Sequence, residues 1–257
     1  MVSSEKVAVI TGGSDGIGLA TAKLFVERGC KVVICGRNQK KLNDAKKNLV
    51  SIIATERKFL AVKCDVRKKA DVQKFIITIK KKFGRINYLI NNAGTAVYKP
   101  IEKTTEDDWD SIIDTNLKGV FLTTKYALPS MSKKGVIVNI SSGAGKYGFA
   151  NFTAYCASKF GVIGFTDSLA DELKVKRRSE GTSMHSSEIK VYAVCPGGVN
   201  TKLYHSLWPG EDPKKLIQPE AVAKKIADLC FNRNRKTGSA VNIYSLRDMR
   251  EYVLKKM

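Results

Sequence analysis

The sequence predicts an α/β protein: a Rossmann-type doubly wound, seven-stranded parallel sheet with helices on both faces. Three observations carry this. Short β-rich apolar runs alternate with longer helical patterns along the chain. The runs are almost continuously apolar, as strands covered on both faces are. The first run ends in a glycine-rich turn that opens a helix, Thr11-Gly12-Gly13-Ser14-Asp15-Gly16-Ile17-Gly18.

In order, the strands are expected at 7–11, 31–35, 59–63, 88–91, 136–141, 191–195 and 240–244. Helices are expected at 17–28, 38–54, 70–83, 105–131, 153–174 and 219–231. The first places Ile17, Ala20, Leu24 and Phe25 on one face, with Gly29 as its stop. Residues 175–188 are polar and read as a loop. Residues 246–257 read as a short helix or a loose tail. The pattern uses the whole of 1–257 in a single domain, with a substrate-loop segment at about 200–219.

Composition bounds the function. Hydrophobic residues make up 43% of 257, enough for a core and too many for a disordered chain. No apolar run approaches the ~18 residues of a membrane span. The first residues lack the apolar region of a signal peptide, so a cytoplasmic location is expected. The six cysteines form no C-x-x-C pair and the histidines are only His185 and His205. Free thiols and no metal site are therefore expected. The net charge of +21 raises the question of acidic partners. Residues 40–82 alone hold 14 basic and 4 acidic side chains. The lysines there fall on outer helical faces, and the aromatics Phe59, Phe75 and Phe83 read as core, so nucleic-acid binding is not expected.

The glycine turn, set between a strand and a helix start, suits a pyrophosphate. Its spacing is G-x-x-x-G-x-G rather than the usual G-x-G-x-x-G, and a tight turn that binds nothing is the competing reading. In this fold an acid after the second strand binds the ribose 2′-hydroxyl of NAD. Here Gly36-Arg37-Asn38 follows instead. Arg37 can pair with a 2′-phosphate, with Ser14 as a further donor, which favours NADP(H). A solvated surface arginine is the alternative.

Tyr155 and Lys159 are four residues apart in a helical pattern, one turn from each other on one face. A neighbouring ammonium favours the phenolate and would lower the tyrosine pKa from its usual ~10. Such a phenol can exchange a proton with a carbonyl or alcohol oxygen. Ser142, at the end of the fifth strand, can donate to a developing oxyanion or simply cap a turn. Asn116 interrupts a helical stretch, which suggests a kink, a water site or a buried hydrogen bond.

With these motifs in place, the chain resembles the short-chain dehydrogenase/reductases across nearly its whole length. The matching residues are the Thr11–Gly18 turn, Asp65-Val66, Asn91-Asn92-Ala93-Gly94, Asn116, Ser142, Tyr155-x-x-x-Lys159, and Pro196-Gly197 with Thr201. The resemblance implies hydride exchange between nicotinamide and a small-molecule carbonyl or alcohol. It gives the turn residues Gly12, Ser14, Asp15, Gly16, Ile17 and Gly18 to the cofactor, and Asp65 and Val66 to its adenine. Asn92, Ala93 and Gly94 take the ribose side, and Pro196, Val199 and Thr201 the carboxamide. Tyr155 is then the acid in reduction and the base in oxidation. Lys159 binds ribose and lowers the Tyr155 pKa, Ser142 polarises the carbonyl, and Asn116 holds a relay water. Arg37 looks like that of NADP-preferring members, such as the 3-oxoacyl-[acyl-carrier-protein] reductases.

The chain departs from these relatives in the length of 175–188 and in lacking a glycine pair after 240–244. Tyr98, Tyr147, Tyr204, Leu207 and Trp208 suggest an apolar substrate pocket, or else a lid packed on the protein itself. By analogy, assembly as a homodimer or homotetramer is expected through the helices at 105–131 and 153–174. An acidic carrier protein docking near Lys133, Lys134, Lys174, Lys176, Arg177 and Arg178 is a further expectation. The rival to catalysis is a dinucleotide sensor, which retention of Asn116, Ser142, Tyr155 and Lys159 argues against.

Overall fold

Every residue of the first strand, β1 (Val7–Thr11), is buried, because helices cover both faces of the sheet it lies in. In the computed structural model, which describes residues 5–52, 56–179 and 188–244, seven strands form one parallel sheet. The others are β2 (Lys31–Gly36), β3 (Phe59–Lys63), β4 (Ile86–Asn91), β5 (Met131–Ile140), β6 (Lys190–Pro196) and β7 (Ala240–Ile243). Their order is β3-β2-β1-β4-β5-β6-β7, so the winding reverses between β1 and β4.

The two-residue repeat of each strand sorts its side chains. Ala8 and Ile10 join one core with α1 (Gly16–Glu27), α2 (Gln39–Val50) and α8 (Pro219–Phe231). Val7 and Val9 join the other with α3 (Lys69–Phe83), α5 (Gly119–Ala127) and α6 (Thr153–Ser179). α4 (Glu106–Ile113) starts at a capping box between Thr105 and Asp108. Gly29 ends the α1 corner at φ +78, a value only glycine adopts readily.

The expected helix at 105–131 is divided. α4 passes through a π turn at Asp114–Lys118 into α5, and a short 3₁₀ turn follows. Strand β5 then begins five residues before the apolar run, at Met131. The expected loop at 175–188 is corrected over its first part: α6 runs on to Ser179, since Lys and Arg are good helix formers. Residues 180–187, and the tail expected at 246–257, lie outside the described residues. A helix not foreseen, α7 (Lys202–Leu207), sits inside the substrate-loop segment. The base of that segment is closed by a bridge between Val199 and Ile217. No helix among the described residues is long and apolar enough to cross a membrane.

Candidate active site

A cleft of about 890 Å³ opens beyond the carboxyl ends of the strands, at the reversal of the winding, where ligands bind in such sheets. One end is the glycine turn. Gly12 holds φ +64, and a Cβ there would lie 2.9 Å from Ala93 Cα. Gly16 holds φ +50, and its Cβ would lie 3.0 Å from a Thr201 methyl. Both positions need glycine, and both leave backbone bare toward the cleft. Asp15 caps α1, with Oδ1 accepting from Gly16 N–H at 2.9 Å. Asn92 locks the turn to β4: its amide donates to Thr11 O at 3.0 Å and Gly12 O at 3.2 Å. The Thr11 hydroxyl accepts from the N–H groups of Asn92 and Ala93. Arg37, exposed just beyond β2, reaches the same end, and no carboxylate follows that strand.

The other end is built around the start of α6. Tyr155 and Lys159 lie on the first turns of α6, facing Ser142 at the end of β5. Lys159 is 4% exposed, and its ammonium donates to Ile140 O at 2.8 Å. It stands 5.6 Å from the Tyr155 ring centre. Burial lowers the Lys159 pKa to about 8. The expected depression of the Tyr155 pKa by Lys159 is not what the structure has. Burial raises the Tyr155 phenol, and the opposing pull comes from its hydrogen bond with Ser142. The ammonium is turned to a main-chain carbonyl instead. Ser142 also caps the following 3₁₀ turn by accepting from Ala144 N–H at 3.2 Å, the capping role its position allowed.

Asn116 lies in the π turn, the kink its position suggested. Its Oδ1 accepts from Thr95 N–H at 2.8 Å. Its amide donates to Thr95 O at 2.9 Å and to Ser158 Oγ at 3.0 Å. Ser158 in turn donates to Tyr155 O at 2.7 Å. Asn116 thus ties the start of α6, and with it Tyr155, to the loop after β4.

Of the expected residues, Gly12, Asp15, Gly16, Ile17, Arg37, Asn92, Ala93, Gly94, Ser142, Tyr155, Lys159, Pro196, Val199 and Thr201 line the cleft. Ser14, Gly18, Asp65, Val66 and Asn116 are not on its wall. Gly18 packs α1 onto the Gly12 carbonyl, and Val66 packs on Gly119. The Asp65 carboxylate is taken by Arg67, with contacts of 2.7 and 3.0 Å. Burial raises its pKa, but the Arg67 hydrogen bonds prevail and hold it low.

Residues to which the sequence assigns no role complete the site. Ser141 Oγ donates to Lys159 O at 2.9 Å, fixing α6 to β5. Asn91 and Asn139 are paired across β4 and β5, and the Asn91 amide donates to Asn139 Oδ1 at 2.8 Å. Thr123 and Thr166 join them from α5 and α6. Polar residues inside otherwise apolar runs were the available signal. Beyond Tyr155 the cleft is aromatic. Trp208 packs on Tyr204, Phe152 and Tyr98 at ring-centre distances of 4.7, 5.5 and 5.7 Å. Phe149 and Phe152 line it where Tyr147 was expected and is not on the wall.

The basic group at Lys133, Lys134 and Lys174 lies away from this site. These residues occupy the start of β5 and the far end of α6, opposite Ser142 and Tyr155. The side chains of Lys176, Arg177 and Arg178 lie outside the described residues.

With this geometry established, likeness to known proteins is informative. The family model for short chain dehydrogenases matches residues 6–212. An uncharacterised oxidoreductase of Staphylococcus aureus is 34% identical, over 88% of this chain and 90% of its own. The 3-oxoacyl-[acyl-carrier-protein] reductase of Thermotoga maritima is 38% identical, over 79% of this chain and 77% of its own. Among solved structures, an actinorhodin polyketide ketoreductase variant with NADPH superposes with a TM-score of 0.83 at 28% identity, covering 95% of this chain and 98% of its own. Levodione reductase superposes with a TM-score of 0.82 at 27% identity, covering 93% and 95%. The chain belongs to the short-chain dehydrogenase/reductase family of oxidoreductases.

Proposed function

We propose that the protein is an NADP(H)-dependent carbonyl reductase, acting reversibly on a ketone or secondary alcohol with an apolar body. The observation that carries this is the single cleft with Arg37 and the glycine turn at one end and Ser142, Tyr155 and Lys159 at the other. The bare backbone at Gly12 and Gly16 and the lack of a carboxylate after β2 fit a dinucleotide bearing a 2′-phosphate. When bound, the cofactor supplies hydride for the carbonyl carbon. Ser142 donates a hydrogen bond to the carbonyl oxygen, and Tyr155, kept protonated by burial, gives that oxygen its proton. Lys159 holds positive charge beside this exchange. Asn116 and Ser141 keep α6 in register with the oxygen-binding end.

The aromatic wall of Tyr98, Phe152, Tyr204 and Trp208 favours an apolar substrate. A 3-oxoacyl thioester is the first class to try, given the Thermotoga relative. A carrier protein bearing it would meet Lys202 and Lys215, the cations on the substrate-loop rim. Exposed Trp109, Phe121 and Phe160, on α4, α5 and α6, support assembly as a dimer or tetramer through those helices. The test is oxidation of NADPH across a ketone panel that includes 3-oxoacyl thioesters. Turnover is expected for wild type and is lost in Tyr155→Phe. NADPH binding without turnover on any ketone would make the protein a sensor instead.

A further inference from the structure

We propose that the end of the molecule opposite the cleft is a docking surface for an anionic lipid bilayer. In an all-parallel sheet, every strand starts on one side and every crossover helix returns the chain to that side. The cleft lies at the other side, beyond the carboxyl ends of the strands. Four neighbouring strands, β4-β5-β6-β7, are entered from the base through residues 80–85, 132–135, 188–190 and 232–237. These 19 residues hold ten basic side chains and one acid, Glu188. At the cleft end of β4, β5 and β6, residues 92–99, 141–152 and 197–218 hold five basic and two acidic side chains in 42. Lysine and arginine are therefore not spread evenly over the two ends. They gather at the base.

The charge there is not cancelled. Among the described residues, none of the ten cations pairs with a carboxylate. Lys80, Lys81 and Lys82 have an ordinary explanation, since they meet the negative end of the α3 dipole. Arg85, Lys133, Lys134, Lys190, Arg235 and Lys236 do not, because they precede or open strands. Where cations of this set are bonded, they use the main chain. Lys190 donates to the carbonyls of Arg233 and Arg235, and Arg233 Nη2 donates to Glu188 O at 2.6 Å. A carbonyl satisfies a donor and leaves its charge in place. Arg233 also sits at φ +54, in the left-handed region that few side chains enter, and its Nε is buried without a hydrogen-bond partner among the described residues.

The arrangement fits a planar partner. α3 packs on one face of the sheet, while 232–237 follows α8 on the other. A plane reaches the cations of both layers at once, whereas a duplex is a rod and meets one strip of them. A protein partner would need apolar or aromatic anchors. None of the large apolar side chains exposed on the described surface lies in these four segments. Lipid headgroups need neither groove nor anchor. Each Lys or Arg within a Debye length, about 8 Å, of an anionic bilayer adds to the attraction. Docked in this way the protein keeps its cleft turned away from the lipid, open to cofactor and substrate.

The test is sedimentation of the full chain with vesicles of phosphatidylcholine, alone or with about 30% phosphatidylserine, at ~100 mM salt. Wild type should partition onto the phosphatidylserine vesicles only. Arg85→Ala, Lys134→Ala, Arg235→Ala and Lys236→Ala together should lower that partitioning more than about a hundredfold, at about fivefold for each cation near the surface. Lys68→Ala, Lys69→Ala, Lys103→Ala and Lys214→Ala together remove the same charge from exposed positions at the cleft end. That variant should stay within about fivefold of wild type. Thermal unfolding checks that both variants fold. Failure of wild type to sediment with phosphatidylserine vesicles overturns the proposal, as does equal sedimentation with phosphatidylcholine alone. Equal loss in the two variants overturns it too, since net charge would then suffice. Tighter binding to duplex DNA than to the vesicles at the same salt would make the base a nucleic-acid surface instead.

Discussion

Tyr155 and Lys159 are a turn apart, yet each has its pKa set mainly by burial rather than by the other. The phenol is raised, so without cofactor it is a proton donor, the form that reduction of a carbonyl needs. Replacing it in Tyr155→Phe should lower kcat/KM for reduction by about 10²- to 10⁴-fold, as for loss of a general acid. Initial rates with NADPH in excess measure this. Lys159 gives a stability prediction with a definite sign. Its pKa falls from an ordinary 10.5 to about 8 on folding. Between those values the unfolded chain binds more protons, so this group makes the fold more stable as pH rises from about 8 to 10.5. Below about 8 its folding penalty is fully present. Lys159→Met should therefore gain on wild type most at neutral pH, with the gap closing above about 8, as read by denaturant midpoints at several pH values. The identity of these side chains was legible because spacing alone sets Tyr155 and Lys159 on one face. The Lys159 bond to Ile140 O was not, because a spacing rule says nothing of main-chain acceptors on another element.

At the scale of elements, the strands were legible from their unbroken apolar runs, and the turn at Gly12 from its glycines. Breaks inside helices were less so. Asn116 signalled a disturbance in 105–131, but neither the π turn nor the side-chain bonds of Asn116 to Thr95 and Ser158, on other elements, follows from local sequence. Helical periodicity cannot report these. Likewise the polar stretch after residue 174 looked like a loop by composition, while Lys and Arg carry α6 on to Ser179. Asn116→Ala would strand buried partners on two elements. A loss of about 1–3 kcal/mol is expected from unpaired buried polar groups. It should come with a fall in kcat larger than the change in KM, because the residue positions Tyr155 and lies off the cleft wall. Urea unfolding and steady-state kinetics on the same preparation would read both.

For the whole molecule, residues 40–82 carry a net +10 of the formal charge of +21. Lys40, Lys46, Lys47, Lys68, Lys69, Lys80, Lys81 and Lys82 are exposed on α2, on α3 and at its start, while Phe59 and Phe75 are 2% and 1% exposed in the core. Phe83 is only partly buried, beneath Lys31 and Lys82, so the described part of that surface offers bases one aromatic ring at most. No shift of duplex DNA is expected at ~150 mM salt. Phe121 and Phe160 are exposed on α5 and α6, and the proposed assembly would cover them. Light scattering should report a multiple of the chain mass, reduced to the monomer by the pair Phe121→Glu and Phe160→Glu. The measurement closest to the central claim combines binding with chemistry: deuteride transfer from labelled NADPH to a ketone, followed by mass spectrometry, in wild type and in Tyr155→Phe with NADPH binding measured on both. Deuterium appearing on the carbonyl carbon with wild type, and largely lost in a variant that still binds NADPH, is the predicted result. Equal transfer by the variant would contradict the role of Tyr155, and no transfer by a wild type that binds NADPH would contradict the enzyme itself.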